Sequence, residues 1–252
     1  MIYLQDYYAD NLMAMLYAAY FDASGKREGY SVLRLAGALS TVKKWIRFEK
    51  QWNAIFHAEG VKVFHATDFA ASQGEYLGWK GDRERHSRFP TQLIEVIRTN
   101  TNKLFSVSIE LAAWNRIDSE YCFSERFYSP YALAGFSVID QTLGWAKRKR
   151  VKPPEFIFED GDDGWEGLLK LCEWDKITPI RLPREKVVPC QVGDMLAWKS
   201  RITATNSLKK VRAMPQTGYD EEMARSMEAD LASVNRLKVR PGMFNLYAQR
   251  LY

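Results

Sequence analysis

The sequence has few cysteines and no long hydrophobic run, and both absences narrow the class of protein. Only three of its 252 residues are cysteine, and Cys122, Cys172 and Cys190 are too far apart for zinc-finger spacing or an even disulfide set. The longest apolar run, residues 12–21, is about half of the roughly 20 residues that a membrane-spanning helix needs. Acidic residues precede this run, which argues against a signal peptide. We therefore expect a cytoplasmic protein with no membrane partner.

Several motifs that identify common enzyme classes are also missing. There is no P-loop, no Gly-x-Gly-x-x-Gly and no Gly-x-Ser-x-Gly, so the usual nucleotide loops and the α/β-hydrolase nucleophile are excluded. Asp22-Ala-Ser lacks the second Asp that haloacid-dehalogenase-type phosphatases place two residues after their nucleophile. Asp160-Gly-Asp162 resembles the start of an EF-hand loop, but Gly164 and Leu171 occupy its fifth and twelfth positions. A calcium loop is therefore excluded as well.

The composition is that of a globular protein with many aromatic side chains and a mild excess of positive charge. It is 46% hydrophobic and 27% charged, with 8 Trp and a formal net charge of +5. Basic residues cluster in segments 147–152, 209–212 and 236–240. Such clusters favour an anionic partner such as nucleic acid, and the alternative for each is a solvated helix end.

Predicted strands and helices alternate after an opening hairpin. Residues 14–22 and 29–38 predict two strands joined by a glycine-bounded turn. Further strands are predicted at 61–64, 103–111, 155–159 and 177–182. Helices are predicted at 40–58 with Ser40 as N-cap, 84–99, 131–147, 165–173, 191–203 and 220–234. Tyr76 and Trp79, in a predicted loop at 69–82, and Trp165 are candidates to stack on bases or to pack at a rim. This order predicts an α/β layer structure.

Three acidic residues lie where a predicted core element begins or ends. Asp22 ends the first strand, Glu159 ends strand 155–159, and Asp194 lies in the first turns of helix 191–203. Buried carboxylates need a compensating cation, and a set of oxygen ligands suits Mg²⁺ or Mn²⁺. Each residue also has a structural alternative. Asp22 suits a turn, Glu159 can belong to a solvated acidic loop, and Asp194 is favoured by the helix dipole.

The same residues carry a resemblance to a known family. Four segments carry it: Tyr20-Phe-Asp22-Ala-Ser-Gly25, Phe64-His65-Ala-Thr-Asp68, Phe158-Glu159-Asp160-Gly-Asp162 and Gln191-Val-Gly-Asp194-Met-Leu-Ala-Trp198. In order and spacing they resemble the bacterial and phage family numbered 3800 among the domains of unknown function, a branch of the ribonuclease H-like (retroviral-integrase-type) superfamily. The resemblance implies a single ribonuclease H-like domain over 1–252, with a mixed sheet that opens with a β-hairpin and is flanked by helices. Its core would span about 12–205, with a C-terminal helical extension at about 206–252.

The resemblance implies a metal-dependent nuclease that hydrolyses phosphodiester bonds of DNA or RNA. Asp22, Glu159 and Asp194 would be catalytic and would hold Mg²⁺ or Mn²⁺, with Asp160 as a further candidate ligand. The acid of the third segment is ambiguous among Glu159, Asp160 and Asp162, and we favour Glu159 because it continues its strand as Asp22 does. His65 is a candidate proton shuttle, and its alternative is a hydrogen-bonded structural histidine. The sequence leaves the oligomeric state open, a homodimer included.

Two departures from the family pattern keep other functions open. Ala23 stands where the family more often has Glu, and no secure fourth acid is present, although Glu110 is a candidate by position. These departures motivate a second hypothesis, a nucleic-acid- or protein-binding module that has the fold without turnover. A third hypothesis is a nucleotide-binding ATPase of the actin–hexokinase type, which shares the layered fold and a strand-end Asp near Ser and Gly.

Overall fold

The computed structural model of the chain describes residues 16–25, 31–183 and 187–196. The strands are β1 (Tyr17–Ser24), β2 (Val32–Thr41), β3 (Lys103–Glu110), β4 (Glu155–Glu159) and β5 (Ile180–Leu182). The helices are α1 (Val42–Glu59), α2 (Ala66–Ala71), α3 (Arg83–Asn100), α4 (Leu111–Tyr121), α5 (Phe123–Phe127), α6 (Pro130–Lys149) and α7 (Trp165–Glu173), with a 3₁₀ helix at Gly74–Trp79. Residues 190–196 are helical and are called α8. No helix of this part of the chain is both long and apolar enough to span a membrane.

The five strands form one mixed sheet in the order β3-β2-β1-β4-β5. The hairpin β1–β2 is antiparallel, with Asp22 opposite Ala36, and β3 is antiparallel to β2. Strand β4 is parallel to β1, with Phe21 beside Phe158, and β5 is parallel to β4 at the sheet edge. The predicted fold class, an α/β mixed sheet that opens with a hairpin and is flanked by helices, is confirmed.

Helices cover both faces of the sheet. On the α1 face, Ala18 and Ile157 pack on an aromatic core from α1, α2 and α3 that includes Trp45, Phe48, Trp52, Phe56, Phe69 and Phe89. On the α6 face, the ring of Phe158 contacts Phe21 and Trp165, and Tyr17 contacts Trp145. Because side chains alternate along a strand, β1 directs Tyr20 and Asp22 to the α1 face and Ala23 to the α6 face.

The first helix begins one residue later than the sequence predicts. Ser40 is the wrong N-cap: it belongs to β2, and its hydroxyl donates to the carbonyl oxygen of Asn100 at 2.5 Å. Thr41 is the N-cap instead, because its hydroxyl accepts from the backbone N–H of Lys44 at 3.4 Å. Strand β2 ends at Thr41, three residues beyond its predicted end, so the cap moves with it.

The segment between α1 and α3 also differs from its prediction. Residues 61–64 are not a strand, and most of the predicted loop is helical in α2 and the 3₁₀ helix. Tyr76 and Trp79 are buried, because their rings pack edge-to-face on each other and Trp79 packs the same way on Phe89. Trp165 is buried against Phe158. The three aromatic residues are therefore core residues, and the base-stacking prediction for them is wrong.

Several predictions fall on residues that the structure does not describe. These are the helix at 220–234, the C-terminal extension at about 206–252, and the basic clusters at 209–212 and 236–240. The end of helix 191–203 also lies outside the described residues. The proposed division of the chain therefore stays a prediction.

Candidate active site

Asp22 and Glu159 occupy equivalent positions on two neighbouring parallel strands, β1 and β4. Glu159 ends its strand as predicted, but β1 continues past Asp22 to Ser24, so the prediction that Asp22 ends its strand is wrong. Phe21 pairs with Phe158, so Asp22 and Glu159 hold the next position on each strand and point to the same face. Neighbouring strands lie about 4.8 Å apart. The exposed fractions of the two residues are 1% and 8%. The backbone N–H of Ala23 donates to Oδ1 of Asp22 at 2.7 Å, which fixes one oxygen of that carboxylate.

Helix α8 approaches the same strand end through a glycine. A Cβ atom at Gly193 would lie 2.8 Å from both the amide nitrogen and the Cβ of Asp22, so a side chain at residue 193 would not fit. The neighbouring residue, Asp194, is buried, and its Oδ2 accepts from the backbone N–H of Ala66 at 3.0 Å. The helix therefore brings the third predicted acid to the sheet and bonds it to the start of α2.

Gln191 anchors this helix to the aromatic core. Its Oε1 accepts from the indole N–H of Trp52 at 3.1 Å and from the backbone N–H of Phe64 at 2.8 Å. The side chain is buried, so one oxygen satisfies two donors that have no access to water. Gln191 thus sets the position of the turn that contains Gly193 and Asp194.

The loop after β4 adds another buried carboxylate, Asp162. Asp160 in the same loop is half-exposed, and its Oδ1 lies 3.4 Å from Nε of Arg181. The loop packs on the start of α6, since a Cβ at Gly164 would collide with the side chain of Ser129. Asp162 is therefore buried, as expected for a carboxylate of the site, whereas Asp160 lies at the surface.

The negative charges of these acids affect the pKa of Tyr131, in the first turn of α6. Burial, and then the negative charges of Asp162, Asp22 and Glu159, raise the pKa of its phenol far above the ordinary value. The hydroxyl therefore stays protonated, and its oxygen is buried. Three acids from β1, β4 and the following loop act on one phenol, so they share one region of the protein.

Arg34 is a site-face residue that the sequence analysis missed. Ala36, the partner of Asp22, lies two residues along β2, so Arg34 is on the same face and diagonal to Asp22, at roughly 7–8 Å between Cα atoms. The side chain is buried, and its guanidinium donates to the hydroxyls of Ser106, at 2.9 Å, and Ser108. A charged residue inside an apolar strand was the available signal, because buried charges require partners.

A cleft of ≈ 570 Å³ opens beside the acids. Its lining residues are Val63, His65, Asp68, Glu159, Asp160, Gly161 and Pro183. His65 immediately precedes α2, and its Nδ1 lies 3.0 Å from Oδ2 of Asp68. The predicted proton shuttle therefore lines the same cleft as two predicted metal ligands, Glu159 and Asp160.

Glu110 is displaced from the acids along the sheet. It pairs with Val32, whereas Ala36, opposite Asp22, pairs with Ser106. Glu110 therefore lies four residues further along β3 than the position level with Asp22, about 13 Å at strand spacing. This register does not favour Glu110 as the fourth acid.

The basic segment at 147–152 is also remote from the acids. Helix α6 begins beside the loop after β4, and Lys147, Arg148 and Lys149 lie in its last turn. At 1.5 Å per residue, this cluster is roughly 25 Å along the helix from Tyr131. Positive side chains there stabilise the negative end of the helix dipole, which agrees with the alternative that this cluster is a solvated helix end.

The donor atoms fit a hard divalent cation, although the described residues show no complete metal site. Across 16–25, 31–183 and 187–196, no group of three or more His, Cys, Asp or Glu side chains is arranged to hold a metal ion. Mg²⁺ usually takes one or two carboxylates and keeps several waters. The buried, neighbouring carboxylates of Asp22 and Glu159 meet that smaller requirement with oxygen ligands alone.

No protein-family model and no curated protein matches the chain. Among solved structures, Bst-RNase HIII in complex with Mn²⁺ matches at 15% identity and a TM-score of 0.47, over 81% of this chain and 57% of that chain. The PCNA:RNase HII complex from Archaeoglobus fulgidus matches at 15% identity and a TM-score of 0.45, over 88% and 91%. The chain thus spans little more than half the length of the RNase HIII. Membership in the family numbered 3800 stays a prediction.

Proposed function

We propose that the protein is a Mg²⁺- or Mn²⁺-dependent nuclease whose site lies at the ends of β1 and β4. The observation that carries this proposal is the pair of buried carboxylates, Asp22 and Glu159, at equivalent positions of adjacent parallel strands. Two like charges in this setting destabilise the protein unless a cation compensates them. Helix α8 packs on Asp22 through Gly193, and the proposal assigns the next residue, Asp194, as a third carboxylate.

Each residue has a separate role in this proposal. Asp22 and Glu159 are the primary ligands, Asp194 completes the acidic set, and Asp160 is a candidate ligand at the mouth of the cleft. A divalent cation bound there would polarise a phosphoryl oxygen and lower the pKa of a bound water. The bond from Ala66 keeps Asp194 in place.

Charge and access support a polyanionic substrate. The chain has a formal net charge of +5, and the cleft beside Glu159 is open to solvent. Arg181 is 46% exposed next to Asp160, where a phosphate can reach its guanidinium. Nucleic acid is the polyanion whose phosphodiester bonds suit the proposed metal chemistry. The choice between DNA and RNA is made by the assay below.

The test is cleavage of labelled single- and double-stranded DNA and RNA with Mg²⁺, Mn²⁺ or EDTA. Asp22→Asn and Glu159→Gln should abolish cleavage and remove the rise in melting temperature that Mn²⁺ gives the wild type. Asp163→Asn, an exposed residue of the same acidic loop, is the matched control and should behave like wild type. Equal cleavage and equal Mn²⁺ stabilisation by wild type and Asp22→Asn would contradict the proposal.

A binding module without turnover is the second candidate. The observations that favour it are the lack of a three-ligand group among the described residues and the use of Asp194 Oδ2 by a backbone N–H. It predicts salt-dependent binding of the same oligonucleotides, with no metal-dependent cleavage. The assay above therefore separates the two functions.

A further inference from the structure

We propose that His65 donates the proton to the leaving oxygen of the cleaved phosphodiester and that Asp68 is its positioning residue. This inference rests on the proposed nuclease function and adds a residue that is not a metal ligand. It follows from the geometry of the turn that begins α2 and from the position of that turn on the cleft.

The start of α2 holds the two side chains together. His65 is the N-cap residue, with extended backbone angles of φ −129° and ψ 106°, and Asp68 lies in the first turn. This spacing brings Nδ1 of His65 within 3.0 Å of Oδ2 of Asp68. A carboxylate at Nδ1 fixes the ring orientation and leaves Nε2 as the nitrogen for another partner.

Asp68 is itself held in place by the following segment. Its backbone carbonyl accepts from the N–H of Gln73 at 2.9 Å. The next residue, Gly74, has φ +55°, and a Cβ there would lie only 3.3 Å from Oδ2 of Asp68. The carboxylate is therefore packed against the backbone that starts the 3₁₀ helix, as expected for a group that orients a neighbour.

The cleft connects this pair to the acids. His65 and Asp68 line it together with Glu159 and the start of the loop after β4. The side chain of His65 is 39% exposed, whereas Glu159 is almost fully buried, so the imidazole is the more accessible of the two to solvent. Ala66, the next residue, donates its N–H to Asp194, so His65 is adjacent in sequence to a residue that binds one of the predicted ligands.

The other two histidines lack this setting. His57 lies on an exposed part of the last turn of α1. His86 packs its ring on Phe69 at 5.1 Å between ring centres, and its Nε2 lies 3.1 Å from the hydroxyl of Ser72. Of the three histidines in the chain, all of them within the described residues, His65 is the one that lines the cleft.

The step is balanced as a hydrolysis. The oxygen of the attacking water bonds to phosphorus, and the bond from phosphorus to the leaving sugar oxygen breaks. The leaving oxygen takes the proton from His65, and the proton lost by the water goes to solvent. His65 then regains a proton from solvent, to which its ring is exposed. General acid catalysis of this kind contributes about 10²–10⁴-fold to a rate.

The experiment compares two oligonucleotides that differ in the leaving atom. One is a labelled DNA or RNA that the wild type cleaves, and the other has sulfur in place of the bridging leaving oxygen, tested at the 3′ and 5′ positions. A thiolate leaves without needing a proton. His65→Ala should lower kcat on the oxygen substrate by about 10²-fold or more. It should leave KM unchanged and cleave the sulfur substrate at close to the wild-type rate.

Two variants complete the test. Asp68→Asn should lower kcat on the oxygen substrate by about tenfold, with partial recovery in Asp68→Glu, and sulfur should suppress the defect. His57→Ala should match wild type on both substrates. Equal losses on oxygen and sulfur by His65→Ala, or no loss on either, would overturn the role.

Failure of this inference is distinguishable from failure of the nuclease assignment. Asp22→Asn should cleave neither substrate and should not show the Mn²⁺-dependent rise in melting temperature. His65→Ala should keep that rise, because it removes no metal ligand. If Asp22→Asn cleaves like wild type, the assigned nuclease site is wrong. If Asp22→Asn is inactive but His65→Ala has the same effect on the oxygen and sulfur substrates, only the assignment of the proton donor is wrong.

Discussion

Gly193 of α8 lies so close to Asp22 of β1 that there is no room for even a methyl side chain at residue 193. A Cβ at residue 193 would be 2.8 Å from the amide nitrogen and from the Cβ of Asp22. Backbone atoms cannot move away as a flexible side chain can, so the helix would have to shift. The position of Asp194 relative to Asp22 therefore depends on a residue without a side chain.

We expect Gly193→Ala to displace α8 and to weaken any function that needs Asp22 and Asp194 together. Overpacking of this kind costs about 1–3 kcal/mol of unfolding free energy. Gly78→Ala is the control, because a Cβ at Gly78 would have no atom within 4 Å. Urea denaturation measures the loss of unfolding free energy, and the rise in melting temperature with Mn²⁺ measures metal binding at the site. Equal stability of the two variants would show that the contact at residue 193 is not tight.

Gln191→Ala should destabilise the protein by leaving two buried donors without an acceptor. The indole N–H of Trp52 and the backbone N–H of Phe64 both donate to Gln191. Each unsatisfied donor costs about 1–3 kcal/mol. Gln92→Ala, on the exposed side of α3, should change stability little. A double-mutant cycle with Trp52→Phe, followed by urea denaturation, should show a coupling free energy; additive effects would contradict the shared bond.

Ala23→Glu, the residue more frequent in the resembling family, should destabilise this protein. Ala23 is buried and points to the α6 face, away from the side chain of Asp22. A carboxylate there loses water without gaining a cation on that face. We expect a loss of about 1–3 kcal/mol, or some 2–12 °C in melting temperature for a chain of this size. Ala112→Glu, exposed in the first turn of α4, should be nearly neutral, and a more stable Ala23→Glu would contradict the assignment of faces.

Glu59 should make stability depend on pH in the acid range. Burial alone would raise the pKa of its carboxyl, but the hydrogen bonds from Arg85 and Arg88, at 2.8 and 2.9 Å, outweigh burial and lower it. A group with a lowered pKa stabilises the fold above its unfolded pKa, and this contribution is lost as the pH falls through the folded pKa. Glu59→Gln should therefore be less stable than wild type near neutral pH.

The difference between Glu59→Gln and wild type should shrink as the pH falls below about 4, the ordinary range of a glutamate carboxyl. Glu95→Gln is the control, because Glu95 also pairs with an arginine, Arg98, but is more than half exposed. Exposed pairs contribute little to stability. Urea denaturation at several pH values measures both variants, and a pH-independent difference for Glu59→Gln would contradict the ion-pair contribution.

The strand-end acids could be predicted from the sequence because local pattern decides them. An apolar run that leads into a carboxylate locates both Asp22 and Glu159, although β1 continues two residues past Asp22. Ser129-Pro130 locates the start of α6, where Ser129 accepts from the N–H of Ala132 at 3.1 Å. The bounds of β4 and α7 match the predicted ranges 155–159 and 165–173.

The remaining features depend on contacts between distant residues, so no local pattern reveals them. Tyr76 resembles an exposed loop residue in sequence, but three-dimensional packing on Phe69 and Phe89 buries it. Arg34 is acceptable in a buried strand only because Ser106 and Ser108 of β3 receive its hydrogen bonds. The need for glycine at residue 193 arises from β1, more than 160 residues earlier in the chain.

Helix α6 also sets a length scale for any nucleic acid that binds along it. Its 20 residues extend roughly 30 Å, from the loop that contains Asp162 to the basic turn at Lys147–Lys149. Duplex DNA rises about 3.4 Å per base pair, so this distance equals about nine base pairs. An oligonucleotide shorter than that cannot touch the acids and the basic turn at the same time. The shortest duplex that binds with full affinity therefore measures whether the far end of α6 takes part in binding.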